Sequence, residues 1–260
     1  MSAGSRVTDY DSIADRFNRR YSLYEYAGTR EAVLSFVALR QDQGERRLDA
    51  LEVGCGTGHW LETVRSAAAL HRLIGVEPSM PMLAQASGRR VQGVAEQLPF
   101  ADGTFDRVFC VNALHHFTDR NGFFREAYRV LRPGGGVLSI GKDPFAERDS
   151  WWVYDYFPET RDIDRARFAP VRILRGELAS AGFAWAESLE ADHIELAHSA
   201  TEAMATGVVD PAFTSQLTVL SPDEFAAGLA RLRAANAEGD LQLVADFFLF
   251  ATTGWKAAQE

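Results

Sequence analysis

The segment Leu51-Glu52-Val53-Gly54-Cys55-Gly56-Thr57-Gly58 sets glycines at alternate positions between an apolar run and a helical stretch. Gly54 and Gly56 let backbone approach a ligand with no Cβ in the way. The helix start beyond them offers free N–H groups that favour an anionic group. Glu77 ends the next apolar run, 19 residues after Gly58, where a carboxylate can accept two hydrogen bonds from the hydroxyls of a ribose. His115 and His116 follow a later apolar run. Histidine, with an ordinary pKa of about 6.5, suits proton transfer near neutral pH. Asp143 follows the last run of the series, at the same strand end, where it could orient a histidine or a substrate. Cys55 reads as a small filler of the glycine turn, not as a nucleophile.

These residues need elements to hold them. Apolar runs at 48–53, 73–76, 91–94, 105–111 and 137–140 read as strands, with helical stretches at 58–70, 81–86 and 118–131 between them. Strands alternating with helices imply a parallel sheet covered on both faces. Ahead of them, Ile13, Phe17, Tyr21 and Tyr24 recur at helical spacing within 10–40, and the polar residues 41–47 read as a loop. Pro133 and the glycines at 134–136 end the helix before the fifth strand. Beyond it, 143–170 is aromatic-rich and without period, 171–181 is helical, 183–189 is a strand, 195–240 is helical, and 241–252 is a last strand. His193 and His198, five residues apart with no carboxylate or Cys partner, are read as structural; no metal is expected.

The glycine spacing resembles the first motif of the class I S-adenosylmethionine-dependent methyltransferases. Four further stretches carry the resemblance: 73–79 (LIGVEPS), 93–100 (GVAEQLPF), 105–117 (FDRVFCVNALHHF) and 126–135 (EAYRVLRPGG). It is strong over 48–142, and the similar subgroup is the small-molecule branch that includes the ubiquinone and menaquinone enzymes. The resemblance implies a Rossmann-like α/β fold: a mostly parallel seven-stranded sheet with an antiparallel last strand, helices on both faces, and a helical lid. It implies one methyltransferase domain over 1–260: a helical cap at 1–47, a cofactor-binding core at 48–142, and the remaining strands with lid insertions at about 143–170 and 195–240. S-adenosylmethionine is the implied cofactor, with Gly54, Cys55, Gly56, Glu77, Pro78, Ser79, Asn112 and Ala113 as implied contacts. Tyr10 and Tyr21 are implied to cover it. Where the family commonly has an acidic residue toward the adenine, this chain has Val94, which leaves that contact to Ala95, Glu96 and Gln97.

The implied activity is methyl transfer to a small aromatic or apolar acceptor at oxygen or activated carbon, with His116 as base, His115 second and Asp143 assisting. The alternative is a donor-binding protein of the same fold that catalyses a non-methylating rearrangement or serves as a binding module. A nicotinamide dinucleotide is disfavoured by His59, which stands where the third glycine of G-x-G-x-x-G belongs. Lys+Arg 27 against Asp+Glu 36 gives a net charge of −9, a poor basis for binding nucleic acid through a broad basic face. No apolar run approaches the ~20 residues needed to span a bilayer, so no membrane insertion is expected. The polar start at 1–11 and two cysteines point to a cytoplasmic protein with reduced thiols.

Overall fold

The computed structural model describes residues 8–38 and 47–258; most of the expected 41–47 loop and the first seven residues lie outside them. One sheet is formed by β1 (Asp49–Val53), β2 (Arg72–Glu77), β3 (Arg89–Gln92), β4 (Phe105–Val111), β5 (Leu131–Gly141), β6 (Ser150–Trp151), β7 (Trp185–Ser199) and β8 (Gln242–Trp255). Its order is β3-β2-β1-β4-β5-β8-β6, with β7 also on β8. The first five strands are parallel, and β8 runs antiparallel to β5, β6 and β7. This is the expected Rossmann-like arrangement with one short extra strand. Strand order reverses between β1 and β4, and such a switch point opens a crevice at the carboxyl ends of the strands.

All seven residues of β4 are buried, and its apolar members divide between two cores. Phe109 and Val111 join Leu138, Trp151 and Phe157 on one face; Phe105, Val108 and Cys110 join Leu51, Phe123 and Leu178 on the other. Each such apolar side chain contributes roughly 1.5–3 kcal/mol when fully buried. Asp106, buried in this strand, is a clamp at the far end from the crevice. Its Oδ2 accepts from Asp49 N at 2.7 Å and from Arg132 Nη1 at 3.0 Å, tying β1, β4 and β5.

Several boundaries differ from expectation, β3 lying at Arg89–Gln92 instead of 91–94. The helical spacing over 10–40 comes from separate turns, Asp11–Ile13, Phe17–Arg19 and Arg20–Leu23, before a helix at Ala27–Ala38. The break falls at Tyr24–Tyr26, where Tyr24 turns inward against Phe247 and Tyr26 has φ 49°. β5 begins at Leu131, not 137, and takes in the glycines: a Cβ on Gly136 would lie 2.6 Å from the Trp255 ring. β7 runs on through 195–199, because its pairing with β8 continues to Ser199↔Gln242. The aperiodic 143–170 stretch holds helices at Trp152–Tyr156 and Glu159–Arg167, whose buried face includes polar Thr160 and Asp164, so no apolar stripe announces it. Among the described residues no helix is long and apolar enough to cross a membrane.

Candidate active site

The registers Val53↔Val76 and Glu52↔Phe109 bring the carboxyl ends of β1, β2 and β4 together. The chain turns sharply after β1, and Gly54 N and Cys55 N both donate to Val76 O, at 2.8 and 3.0 Å. Gly54 has φ +73°, and a Cβ there would stand 2.6 Å from Ala113 Cβ. Glu77, at the end of β2, accepts from Gly56 N on Oε2 (2.9 Å) and from Ser79 N on Oε1 (3.1 Å). The two bonds fix the carboxyl while leaving each oxygen a second lone pair. Burial raises its pKa against the pull of those amides.

A cavity of about 310 Å³ lies over these strand ends, within the ~300–1,000 Å³ typical of small-molecule sites. Its floor is Glu52, Gly54, Gly56 and Glu77, and its sides include Val94, Ala95, Glu96 and Ala113. Glu52 is almost wholly buried, yet its Oε2 has no hydrogen-bond partner. Burial, then the neighbouring Glu77, pushes its pKa well up.

The roof is the N-terminal segment. Tyr21 stacks on His59 with ring centroids 3.6 Å apart, Asn18 bonds Thr57, Ser79 Oγ donates to Asp11 Oδ1 at 2.5 Å, and Gln85 Nε2 donates to Ala14 O at 2.6 Å. Tyr10 Oη and His116 Nε2 share a hydrogen bond of 2.5 Å. Burial pushes the Tyr10 phenol up to about 12. Burial, with Arg167 and Arg20 nearby, holds His116 down to about 3, so at pH 7 the pair is phenol and neutral imidazole.

A second pocket of about 60 Å³ adjoins the first and shares Tyr10, Arg20, Asn112 and His116 with it. Tyr24, Trp151, Phe168 and Phe247 wall it, and Lys142 and Gln216 also face it. His115 lines it as well, stacked on Phe168 at 4.0 Å. Its pKa lies well below the ordinary value, by burial and then by His116.

A methyltransferase-domain family model matches residues 51–139, the stretch that builds the floor of the larger cavity. A malonyl-[acyl-carrier protein] O-methyltransferase of Marinomonas sp. is 30% identical over 200 residues, 68% of this chain and 72% of that protein. The chain belongs to the S-adenosylmethionine-dependent methyltransferases. A demethylmenaquinone methyltransferase of Lactiplantibacillus plantarum is 30% identical over 146 residues, 50% of this chain and 60% of that one. The match spans 34–60% of the length of the first curated relatives. The crystal structure of a putative methyltransferase from an antibiotic biosynthesis pathway of Anabaena variabilis has the same fold, with a TM-score of 0.66 at 23% identity, covering 86% of this chain and 96% of that one.

The methyltransferase cavity suits the family's cofactor. The partnerless Glu52 carboxyl oxygen and the space that a Cβ on Gly54 would fill both lie at its floor. Of the residues the sequence assigns to the cofactor, Gly54, Cys55, Gly56, Glu77, Pro78, Ala95, Glu96, Asn112, Ala113, Tyr10 and Tyr21 line this cavity. Ser79 and Gln97 do not. Ser79 caps the helix Met80–Gln85 by accepting from Met82 N, and Gln97 bridges back to Val94. Glu96 Oε1 accepts from Asp119 N at 3.0 Å, which holds the wall beside Val94.

Of the three residues assigned to catalysis, the structure brings His116 and His115 to the pockets and leaves Asp143 out. Asp143 Oδ1 accepts from Phe145 N and Oδ2 from Val171 N, both at 3.0 Å, so it fastens the turn after β5. His193 pairs with Asp246 at 2.8 Å on the β7–β8 ribbon. Sequence reasoning missed Glu52, Arg20 and Lys142. Glu52 stands inside the glycine motif, but its burial in a strand buried throughout, and its approach to the cavity, are visible only in the structure. Arg20 and Lys142 carry no local signal, because only tertiary packing brings them to one pocket.

Proposed function

We propose that the enzyme transfers a methyl group from S-adenosylmethionine to a small aromatic or apolar acceptor, at oxygen or an activated carbon. The observation that carries this is the pair of adjoining pockets, one over the β1, β2 and β4 ends and one walled by aromatics, with Tyr10 and His116 at their junction. Relatives named for menaquinone and malonyl-carrier methylation favour a small acceptor group. When bound, the sulfonium supplies a methyl group that is already activated. Glu77 takes the ribose hydroxyls on the lone pairs its backbone bonds leave free. Glu52 takes the ammonium of the amino-acid tail, while Ala95 and Glu96 face the adenine beside an apolar Val94. Tyr10 and Tyr21 cover the cavity, and excluding water while fixing geometry accounts for several kcal/mol of barrier lowering, on the order of 7–11 at best. His116, which faces both pockets and bonds Tyr10 Oη through Nε2, is the candidate base, reached by the acceptor proton through the Tyr10 hydroxyl once the bound ligands change its surroundings, with His115 behind it. The buried, free thiols of Cys55 and Cys110 fit a reducing, cytoplasmic setting, and the acidic balance favours small acceptors over nucleic acid.

The test is calorimetric titration of S-adenosylhomocysteine into wild type and Glu77→Ala. Each charge-assisted hydrogen bond lost is worth about 1.5–3 kcal/mol, so affinity should fall at least tenfold. Equal affinities would remove the cavity from the account.

A further inference from the structure

We propose that Arg20 holds the carboxylate of the cofactor's amino-acid tail, so that the tail ties the roof to the floor and a ligand lacking that carboxylate binds poorly. This rests on the reading of the larger cavity as the cofactor site. The tail carries an ammonium and a carboxylate on one carbon and needs a partner for each. Glu52, on the floor, suits the ammonium: its carboxyl accepts from Leu61 N, and its Oε2 has no partner. For the carboxylate the first candidate is the glycine turn, since a helix start with free N–H groups attracts anions. In the turn itself those groups are spent. Gly54 N and Cys55 N both donate to Val76 O, Gly56 N donates to Glu77 Oε2 at 2.9 Å, and Gly58 N donates to Cys55 O at 2.9 Å.

What remains is Arg20. Among the described residues that line the cavity it is the one Lys or Arg, against the carboxyls of Glu52, Glu77 and Glu96. It stacks over the Phe17 ring at 3.8 Å and spends Nε on Phe17 O at 3.2 Å, which steadies the guanidinium from one side. Its Nη2 is buried with no hydrogen-bond partner. A guanidinium N–H kept from water and unmatched by protein is costly unless a ligand matches it. The two ends of the tail would then be read from opposite sides, because Glu52 belongs to β1 and Arg20 opens the helical turn Arg20–Leu23 of the roof. The roof is fastened to the glycine turn and the helix after it by Asn18 on Thr57 and by the stack of Tyr21 on His59. Both residues flank Arg20 in sequence, so a carboxylate on its guanidinium stiffens that same stretch.

The experiment titrates three ligands into the full chain by calorimetry: S-adenosylhomocysteine, its decarboxylated analogue, which keeps the amine, and methylthioadenosine, which lacks the whole tail. Wild type should bind S-adenosylhomocysteine about tenfold or more tighter than the decarboxylated analogue, as the loss of a charge-assisted hydrogen bond requires. In Arg20→Gln the two affinities should come within about twofold of each other, while methylthioadenosine binds within about twofold of wild type. Hydrogen exchange over residues 8–23 of wild type should slow more with S-adenosylhomocysteine than with the decarboxylated analogue. Equal affinities in wild type, a preference that survives Arg20→Gln, or equal slowing by the two ligands overturns the proposal. So does a loss of methylthioadenosine binding in Arg20→Gln as large as that of S-adenosylhomocysteine, which would make Arg20 a part of the roof's structure alone. Failure of all three ligands to bind wild type would instead overturn the reading of the cavity, so the two failures are distinct.

Discussion

Gly54 gives the sharpest handle on the cofactor floor. Gly54→Ala forces an L-residue into φ +73°, where the left-handed conformation costs about 1–2 kcal/mol. The new methyl would also stand 2.6 Å from Ala113 Cβ, against the ~3.5–4.0 Å of an ordinary carbon contact. Ala113 cannot yield freely, because it follows Asn112, which has φ 50° and donates its N–H to Ile140 O at 2.8 Å. Overpacking of this kind adds about 1–3 kcal/mol, so the substitution should cost about 2–5 kcal/mol in all. Ala113→Gly removes the opposing methyl and separates the two terms. In the double variant the steric part returns and the backbone part stays, a coupling of about 1–3 kcal/mol. Urea unfolding with an unchanged m-value reads the stabilities, and S-adenosylhomocysteine calorimetry shows whether the floor still receives its ligand. A single variant within ~0.5 kcal/mol of wild type, or a coupling near zero, would refute this account of the turn.

Three further outcomes follow from the same structure. His116, held down to about 3 in the folded protein, is ordinarily protonated near 6.5 once unfolded, so the unfolded chain binds the extra proton between those values. Stability should therefore fall as pH drops from about 6.5 toward 3, and His116→Asn should flatten that part of the profile in pH-dependent urea unfolding; parallel profiles would contradict it. Asp164→Ala should cost about 3–5 kcal/mol, because a buried carboxylate partner of Arg167 is removed along with acceptors for Tyr154 Oη and Gln216 Nε2. A loss below about 1 kcal/mol in chemical denaturation would be too small for a buried pair. Burial raises both thiol pKa values, Cys110 to about 12 and Cys55 well up as well. Iodoacetamide at pH 7.5 should leave both unlabelled in the native protein and label both in urea, as mass spectrometry would read; fast native labelling of Cys55 would be inconsistent with its burial.

The residues assigned to the cofactor gather at one cavity because they sit at fixed places relative to strand ends. A strand, a glycine turn and a helix are local patterns, and parallel pairing then brings Gly54, Glu77 and Asn112 together whatever the rest of the chain does. Tyr21 was named for its likeness to covering aromatics, but the stack on His59 that locates it joins residues 38 positions apart and has no local trace. Asp143 lies at the expected strand end, and what removes it from the pocket is the approach of Val171 N from 28 residues away. Glu52 stood inside the quoted motif; alternation alone does not say which buried strand residue turns its side chain to the crevice. The long β7–β8 ribbon was cut short in sequence because half-exposed strands carry Glu, Asp and His where a buried strand would carry an apolar run.

This difference in legibility has a mechanical counterpart. The floor and sides of the larger cavity come from residues 52–118, on strands pinned at their far ends by Asp106 and at their near ends by backbone bonds such as Gly54 N to Val76 O. The smaller pocket instead joins Arg20, Lys142, Trp151, Phe168, Gln216 and Phe247, carried by separate segments. Polar links hold them, among them Lys142 to Asp149, Arg16 to Asp210, and Asp164 to Tyr154, Arg167 and Gln216. Polar links set directions as well as distances, so they define the pocket's charge and shape more tightly than apolar packing, which tolerates substitution at constant volume. Altering the 143–220 segments should therefore reshape the smaller pocket while the floor of the larger one keeps its geometry, since among the described residues the two share Tyr10, Arg20, Asn112 and His116.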